Sequence, residues 1–209
     1  MNDRAVEVPS TPVMPARSPW LLRHPIDRFS QRLFCIPYSG CGASMYHRWP
    51  RSIGSTEICP VQLPGRENRV QEAIPTNYND LASAIILGLE PFLDRSVALF
   101  GHCGSALIAY EVAAQLAATN RPASLLVVSS QVAPQDGPYG RFLHMSDEQL
   151  REELATLALR FGSKPNPAML EMSLQVLRKD LACNRTYSSP PDTDTRCPIV
   201  LLRWRDDTD

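Results

Sequence analysis

The chain has 209 residues, enough for one domain with a sizeable hydrophobic core. Its net charge of -1 gives no basis for binding nucleic acid or an acidic membrane surface, and no apolar run is long enough to cross a bilayer. Residues 1–19 are polar and proline-rich and lack the apolar core of a secretory signal, so they predict a flexible N-terminal segment of a cytoplasmic protein.

Strand-like and helix-like segments alternate over the first two thirds of the chain. Short apolar runs predict buried strands at 32–37, 57–63, 96–100 and 124–129. Helices are predicted through Met45 and Trp49, at 78–93 and at 109–118. This alternation predicts an α/β fold with a mostly parallel sheet and helices on both faces.

The alternation stops near residue 135, and two helical segments follow at 146–161 and 168–187. Ser146 and Gln149 have the spacing of a capping box at the start of the first segment. Two consecutive helices before a last strand at 198–202 predict an inserted helical cap at about 136–187, with plain packing helices as the alternative. We assign residues 20–209 to one domain.

The segment Gly101-His102-Cys103-Gly104-Ser105 lies between an apolar strand and an alanine-rich helix, the setting of a nucleophile elbow. Residues two before and two after the nucleophile must be small, and Gly101 and Ser105 are. Cys103 would then lie at a helix N-terminus, where the helix dipole favours a thiolate. We predict Cys103 as the nucleophile. A structural cysteine, or Ser105 as the nucleophile, is the alternative.

The small residues that follow the first strand predict an oxyanion hole. The loop reads Pro-Tyr-Ser-Gly-Cys-Gly over residues 37–42. In this type of fold such a loop supplies one backbone N–H, and the residue after the nucleophile supplies the other. We predict Ser39 and Gly104 as these donors. Gly40 is an alternative to Ser39, and a plain turn is the alternative to the whole assignment.

The six cysteines are scattered and form no Cys-x-x-Cys pair, so no metal site is predicted. Cys35, Cys59 and Cys197 lie in or beside apolar runs and are expected to be core residues.

Four sequence segments resemble the type II thioesterases of the α/β-hydrolase superfamily. The family pattern Pro-(His/Tyr)-Ala-Gly-Gly followed by aromatic residues matches CIPYSGCGASMYHRW at 35–49, and its Pro-Gly-Arg segment matches 63–69. The family elbow Leu-Phe-Gly-His-Ser-Met-Gly-Ala matches 99–106. A cap pattern of Arg-x-Asp with a later Tyr matches Arg178, Asp180 and Tyr187. The resemblance extends from about residue 19 to the end.

The resemblance implies an enzyme of nonribosomal peptide or polyketide biosynthesis. Its substrates would be acyl or aminoacyl thioesters on the phosphopantetheine of an acyl or peptidyl carrier protein, the partner of the enzyme. The enzyme would need no cofactor of its own. The resemblance assigns no catalytic role to Arg66 or Arg69, which are equally suited to bracing their loop.

The chain departs from the family pattern within the elbow. Cys103 replaces serine, and a cysteine acyl-enzyme is itself a thioester that keeps the transfer potential of the acyl group. An acyltransferase that moves the group between carrier proteins is therefore an alternative function. Gly104-Ser105 replaces Met-Gly and is expected to reshape the floor of the pocket.

A further departure concerns the other two members of the catalytic triad. By register Asp207 matches the triad acid, with Asp206 as second choice. The chain ends at Asp209, before the position of the family's catalytic histidine, and His24, His47, His102 and His144 occupy other places. We expect a shortened chain that lacks the final strand and helix. The alternative is an inactive carrier-protein-binding module.

Overall fold

The structure is a computed structural model that describes residues 18–160, 162–164 and 166–203. A sheet of six strands in the order β2-β3-β1-β4-β5-β6 forms its centre. The pairs β1–β3, β1–β4, β4–β5 and β5–β6 are parallel, and only β2 runs antiparallel to its neighbour. This confirms the predicted mostly parallel sheet. The strands are β1 Gln31–Cys35, β2 Ser52–Ile53, β3 Thr56–Pro60, β4 Ser96–His102, β5 Leu125–Ser129 and β6 Ile199–Leu202.

Four α-helices accompany the sheet in the described ranges: α1 Tyr78–Leu89, α2 Gly104–Ala118, α3 Asp147–Arg160 and α4 Pro167–Thr186. The side chain of Asn77 caps α1 by accepting a hydrogen bond from the Asp80 N–H at 2.8 Å. The apolar face predicted for this segment, which includes Leu81, Ile85 and Leu89, is buried. Helix periodicity therefore identified the core-facing side of α1 correctly.

Two short elements near residue 50 differ from the prediction. The helix expected through Met45 and Trp49 is a single 3-10 turn at Ala43–Tyr46. Pro50 has no N–H to continue a helix, and the segment before it is too short for a stable α-helix. The unpredicted strand β2 forms a hairpin with β3, in which Gly54 adopts a φ of +58°.

The sheet is covered differently on its two faces. On one face α1 and α2 pack over residues such as Phe34 and Leu99, which belong to the largest core cluster. On the other face Tyr46 and Trp49 pack against Phe100, and the Tyr46 hydroxyl donates to the Ile36 carbonyl at 2.8 Å. The apolar residues of β6 are exposed in the described part of the chain.

Helices α3 and α4 follow β5 and precede β6, in the part of the chain where the sequence predicted two helices. They pack on each other around a separate apolar cluster that includes Leu154, Leu174 and Leu177. The predicted capping box is present, because the Ser146 N–H donates to Gln149 Oε1 at 2.8 Å and the Gln149 N–H donates to Ser146 Oγ at 3.3 Å. No helix in the described ranges is long and apolar enough to span a membrane.

Candidate active site

Cys103 lies at a sharp turn between β4 and α2. Its backbone has φ 53° and ψ −131°, a left-handed conformation that is strained for any residue with a side chain. The turn is anchored because the Cys103 N–H donates to the Ser129 carbonyl of β5 at 2.8 Å, and the Ala106 N–H donates to the Cys103 carbonyl at 2.9 Å. The thiol is partly exposed at the N-terminus of α2. This backbone has the form that a nucleophile elbow requires.

The two flanking positions are small for a visible steric reason. A Cβ atom on Gly101 would collide with the carbonyl oxygen of Ser105 and the Cα atom of Ala106. The Ser105 hydroxyl is 3.0 Å from both the N–H and the carbonyl oxygen of His102, and 3.3 Å from the Ile36 carbonyl. Ser105 is buried and fully hydrogen-bonded, so its geometry is that of a residue that holds the turn together, and not of a nucleophile.

The loop after β1 lies directly against the start of α2. A Cβ atom on Gly104 would be 2.8 Å from Oγ of Ser39, so the two proposed oxyanion donors are neighbours. Within the described ranges, neither backbone N–H donates a hydrogen bond to a protein acceptor. In contrast, the Gly40 N–H donates to Oδ2 of Asp180 at 2.8 Å and is therefore engaged. Of the two candidate donors in the loop, this geometry favours Ser39.

The ring of His102 packs beside the elbow. Its Nδ1 atom is 2.9 Å from the Ser129 hydroxyl, and its ring lies 5.3 Å from that of Tyr38. His24 contacts the ring of Phe92, which lies just after α1 in the chain. The predicted triad acid Asp207, and Asp206 beside it, lie outside the described residues, and their roles remain predictions.

The Pro-Gly-Arg segment and the cap meet next to the oxyanion loop. Arg66 forms a buried, two-bond ion pair with Asp180 of α4, at 2.9 and 3.0 Å. Arg69 stacks over the ring of Trp20 and donates to the Gln62 carbonyl at 2.8 Å. Both arginines therefore brace their loop, which was the structural alternative raised by the sequence.

Arg178 and Tyr187, the other two residues of the cap pattern, take no part in the ion pair between Arg66 and Asp180. Arg178 is exposed and pairs with Asp147 of α3, away from Asp180. The Tyr187 hydroxyl donates to Glu111 of α2 at 3.0 Å, and burial, together with proximity to this carboxylate, raises the pKa of Tyr187. The first contact joins α4 to α3, and the second joins the end of α4 to α2.

Three residues near the elbow were not predicted. A Cβ atom on Gly140 would be 3.6 Å from Sγ of Cys103, so the segment before the cap approaches the thiol closely. Tyr78 and Asn184 place polar atoms 3.6 and 3.2 Å from the Cβ position of Gly104. Of these three residues, only Asn184 could have been singled out from the sequence, because it is a polar residue at a core-facing position of α4.

Several other cysteine thiols are held in their neutral form. Burial raises the pKa of Cys41 and of Cys59 to about 12, and it raises the pKa of Cys35 further. Such thiols carry very little thiolate at neutral pH and are poor nucleophiles. Cys35 and Cys59 are buried core residues, and Cys197 packs against the main core, as predicted.

A groove of about 600 Å³ adjoins the loop after β1 at Gly40 and Cys41, and Cys103 is not among the residues that line it. It lies between the cap helices and the segments around Gly42 and Arg66, and its apolar lining includes Leu157, Met169 and Val176.

No cluster of His, Cys, Asp or Glu suited to a metal ion occurs in residues 18–160, 162–164 and 166–203.

Sequence comparison finds a matching family for most of the chain. The profile of the family described as "Thioesterase domain" matches residues 31–206. The gramicidin S biosynthesis protein GrsT of Aneurinibacillus migulanus is 33% identical over 187 residues, which cover 84% of this chain and 70% of that protein. Thioesterase PikA5 of Streptomyces venezuelae is 31% identical over 211 residues, covering 97% of this chain and 71% of that protein.

Solved structures agree with these relatives. The type II thioesterase BorB from the borrelidin biosynthetic cluster has a TM-score of 0.74 and 30% identity, covering 90% of this chain and 78% of BorB. RedJ, a thioesterase from the prodiginine pathway of Streptomyces coelicolor, has a TM-score of 0.70 and 33% identity, covering 83% of this chain and 66% of RedJ. Together with the sheet order, these similarities confirm the predicted α/β-hydrolase fold.

Proposed function

Because this chain belongs to the thioesterase family, we propose that it cleaves acyl or aminoacyl thioesters of carrier proteins in nonribosomal peptide or polyketide biosynthesis, through an acyl-enzyme on Cys103. Relatives named for gramicidin S, borrelidin and prodiginine biosynthesis support the pathway class. The observation that carries the chemistry is the strained position of Cys103 at the N-cap of α2, beside the backbone N–H groups of Ser39 and Gly104, which donate to no acceptor within the described ranges.

The proposed reaction has two steps. Sγ of Cys103 bonds to the acyl carbon, and the C–S bond to the carrier's phosphopantetheine then breaks. The proton of the Cys103 thiol ends on the released carrier thiol. In the second step the oxygen of a water molecule bonds to the acyl carbon, the bond between that carbon and Sγ breaks, and one proton of the water returns to Sγ as the free acid leaves. During each attack, the N–H groups of Ser39 and Gly104 stabilise the negative charge on the acyl oxygen.

The experiment that tests this proposal is detection of the acyl-enzyme. An acylated carrier protein is mixed with the chain, and the protein mass is measured with time. We expect an added acyl mass on the unchanged chain and on a Cys197→Ala control, and none on Cys103→Ala. An acyl group found on another residue, or no acylation of the unchanged chain, would refute the proposed mechanism.

Acyl transfer between carrier proteins is the second candidate function. The observation that favours it is the cysteine at the nucleophile position, because a thiol acceptor can take the group from a cysteine thioester without loss of free energy. The test is a labelled donor carrier protein mixed with an unloaded acceptor carrier protein. Label on the acceptor supports transfer, whereas label only in free acid supports hydrolysis.

The partner in either reaction is an acyl or peptidyl carrier protein, and the phosphopantetheine arrives with that partner. We infer a cytoplasmic location, where such carrier proteins are loaded. Stable carrier-protein binding without any acyl group on Cys103 would instead support a non-catalytic binding module. The predicted acid Asp207 belongs to the same proposal, as the group that would orient a general base.

A further inference from the structure

Gly104 is the first residue of α2. The position that a side chain of residue 104 would occupy is enclosed by polar groups from three parts of the chain. A Cβ atom on Gly104 would lie 2.8 Å from Oγ of Ser39, 3.2 Å from Nδ2 of Asn184 and 3.6 Å from the Tyr78 hydroxyl oxygen. The loop after β1, helix α4 and helix α1 supply these groups. Because glycine has no side chain, the three groups face the backbone next to Cys103 directly.

Asn184 is the unusual member of this set. It is 3% exposed, its Oδ1 atom is buried without a hydrogen-bond partner, and Nδ2, the donor atom of the amide, donates to no acceptor in the described part of the chain. Its neighbours along the same side of α4, Leu177 and Leu181, are apolar core residues. Burying an amide that is not fully hydrogen-bonded is unfavourable, because its contacts with water are lost. A buried amide in this state beside a nucleophile is a candidate for binding the reacting group.

Two departures from the thioesterase motifs fit together around this amide. Ser39 stands where the family loop has alanine, and Gly104 stands where the family elbow has methionine. A side chain at position 104 would occupy the space in which Ser39 Oγ and Asn184 Nδ2 now lie. The missing side chain at Gly104 therefore makes room for two uncharged hydrogen-bond donors.

We propose that Asn184 is a further catalytic residue, whose amide N–H, together with the Ser39 hydroxyl, donates to the acyl oxygen of the thioester that reacts with Cys103. The proposal rests on the proposed function above. When Sγ bonds to the acyl carbon, one electron pair of the carbonyl moves onto its oxygen. That pair re-forms the carbonyl when the carrier thiol leaves, so a donor fixed nearby lowers the barriers to formation and collapse of this intermediate.

The test compares two reactions of Cys103 that differ in whether an oxyanion forms. Acylation by the acetyl thioester of N-acetylcysteamine passes through an oxyanion, whereas alkylation by iodoacetamide does not. Both rates are followed by protein mass for the unchanged chain, N184L, N184D and the matched control N79L, which alters an exposed residue of α1. We expect the ratio of the acylation rate to the alkylation rate to fall by roughly tenfold to a hundredfold in N184L and N184D, since any change in thiolate content affects both reactions equally.

Each outcome supports or overturns the proposal. Equal acylation rates in N184L, N184D and the unchanged chain would overturn this inference and leave the proposed function intact. Parallel slowing of acylation and alkylation would make Asn184 a packing residue and would also overturn it. An unchanged chain that is alkylated but not acylated would refute the proposed function, and this inference with it. If N184L fails to fold, N184D and G104A, which closes the same space, decide the question.

Discussion

The guanidinium of Arg66 binds both carboxylate oxygens of Asp180, with Nη1–Oδ2 and Nη2–Oδ1 distances of 3.0 and 2.9 Å. Oδ2 of Asp180 also accepts the Gly40 N–H at 2.8 Å, and Arg66 Nη1 donates to the Cys41 carbonyl at 3.1 Å. One buried ion pair thus connects the loop after β3, the cap helix α4 and the oxyanion loop. The cap and the proposed catalytic loop are therefore held in one arrangement.

Replacing Arg66 by alanine should destabilise the protein strongly. The substitution leaves the buried Asp180 carboxylate without its counter-ion, which typically costs about 3–5 kcal/mol. We expect that loss in the free energy of unfolding, measured in urea, and slower acylation of Cys103 because the Gly40 N–H loses its fixed acceptor. Arg178→Ala is the matched control, since its exposed pair with Asp147 is screened by water and should contribute little to stability. Similar losses for both variants would contradict this interpretation.

Gly101→Ala should damage the elbow without touching the thiol. The added methyl group meets backbone atoms of Ser105 and Ala106, which cannot move without shifting the start of α2. Overpacking of this kind typically costs about 1–3 kcal/mol. Thermal and urea unfolding measure the loss. Gly137→Ala is the control, because the nearest atom to a Cβ there is at 3.4 Å. The steric account fails if Gly101→Ala is as stable as the control.

Cys103→Ser should shift the product ratio from transfer towards hydrolysis. An oxygen ester on the enzyme lies lower in free energy than a thioester, so its transfer to a carrier thiol is uphill, while attack by water remains favourable. We expect the ratio of transfer to hydrolysis to fall by roughly tenfold or more, a difference of about 1.4 kcal/mol in relative barrier height. Labelled acyl-carrier assays measure both products, with Cys197→Ser as the control. An unchanged ratio would show that the thiol does not determine the acceptor.

Asp94→Asn should destabilise the protein at neutral pH but not in strong acid. Hydrogen bonds from Arg95 and from Arg32 lower the pKa of Asp94 from 3.8 to about 2. A carboxylate whose pKa is lower in the folded protein stabilises the fold at pH values above its pKa in the unfolded chain. This contribution is lost as the pH falls from about 4 to about 2. The side chain is 49% exposed, so screening by water reduces the contribution to about 1 kcal/mol.

The measurement for Asp94 is the free energy of unfolding as a function of pH. The difference between the unchanged chain and Asp94→Asn should be constant near pH 7 and should disappear towards pH 2. Asp136→Asn, on the exposed turn Pro134–Asp136, serves as the control, and this substitution should change the free energy of unfolding at pH 7 by less than about 0.5 kcal/mol. A difference for Asp94→Asn that persists at pH 2 would mean that its carboxylate charge is not responsible.

The amino-acid sequence by itself determined most of the strands and helices in their order along the chain, apart from β2 and the 3-10 turn before Pro50, and it predicted the elbow from its strand–turn–helix setting. Those features depend on local pattern: the apolar run before Gly101, the small residues around Cys103 and the helical periodicity of α1 and α4. Ser39 and Gly104 were predicted as paired donors from the general pattern of this type of fold, in which the loop after the first strand and the residue after the nucleophile supply the two N–H groups.

Only the tertiary structure decided which distant side chains surround that elbow. The sequence matched Arg178, Asp180 and Tyr187 to one cap pattern. In the structure, however, Asp180 pairs with Arg66, whereas Arg178 is exposed and pairs with Asp147. It also brings Asn184, 80 residues beyond Gly104 in the chain, to within 3.2 Å of that glycine's Cβ position. Contacts of this kind depend on how α4 packs against α2, and no local periodicity encodes that packing.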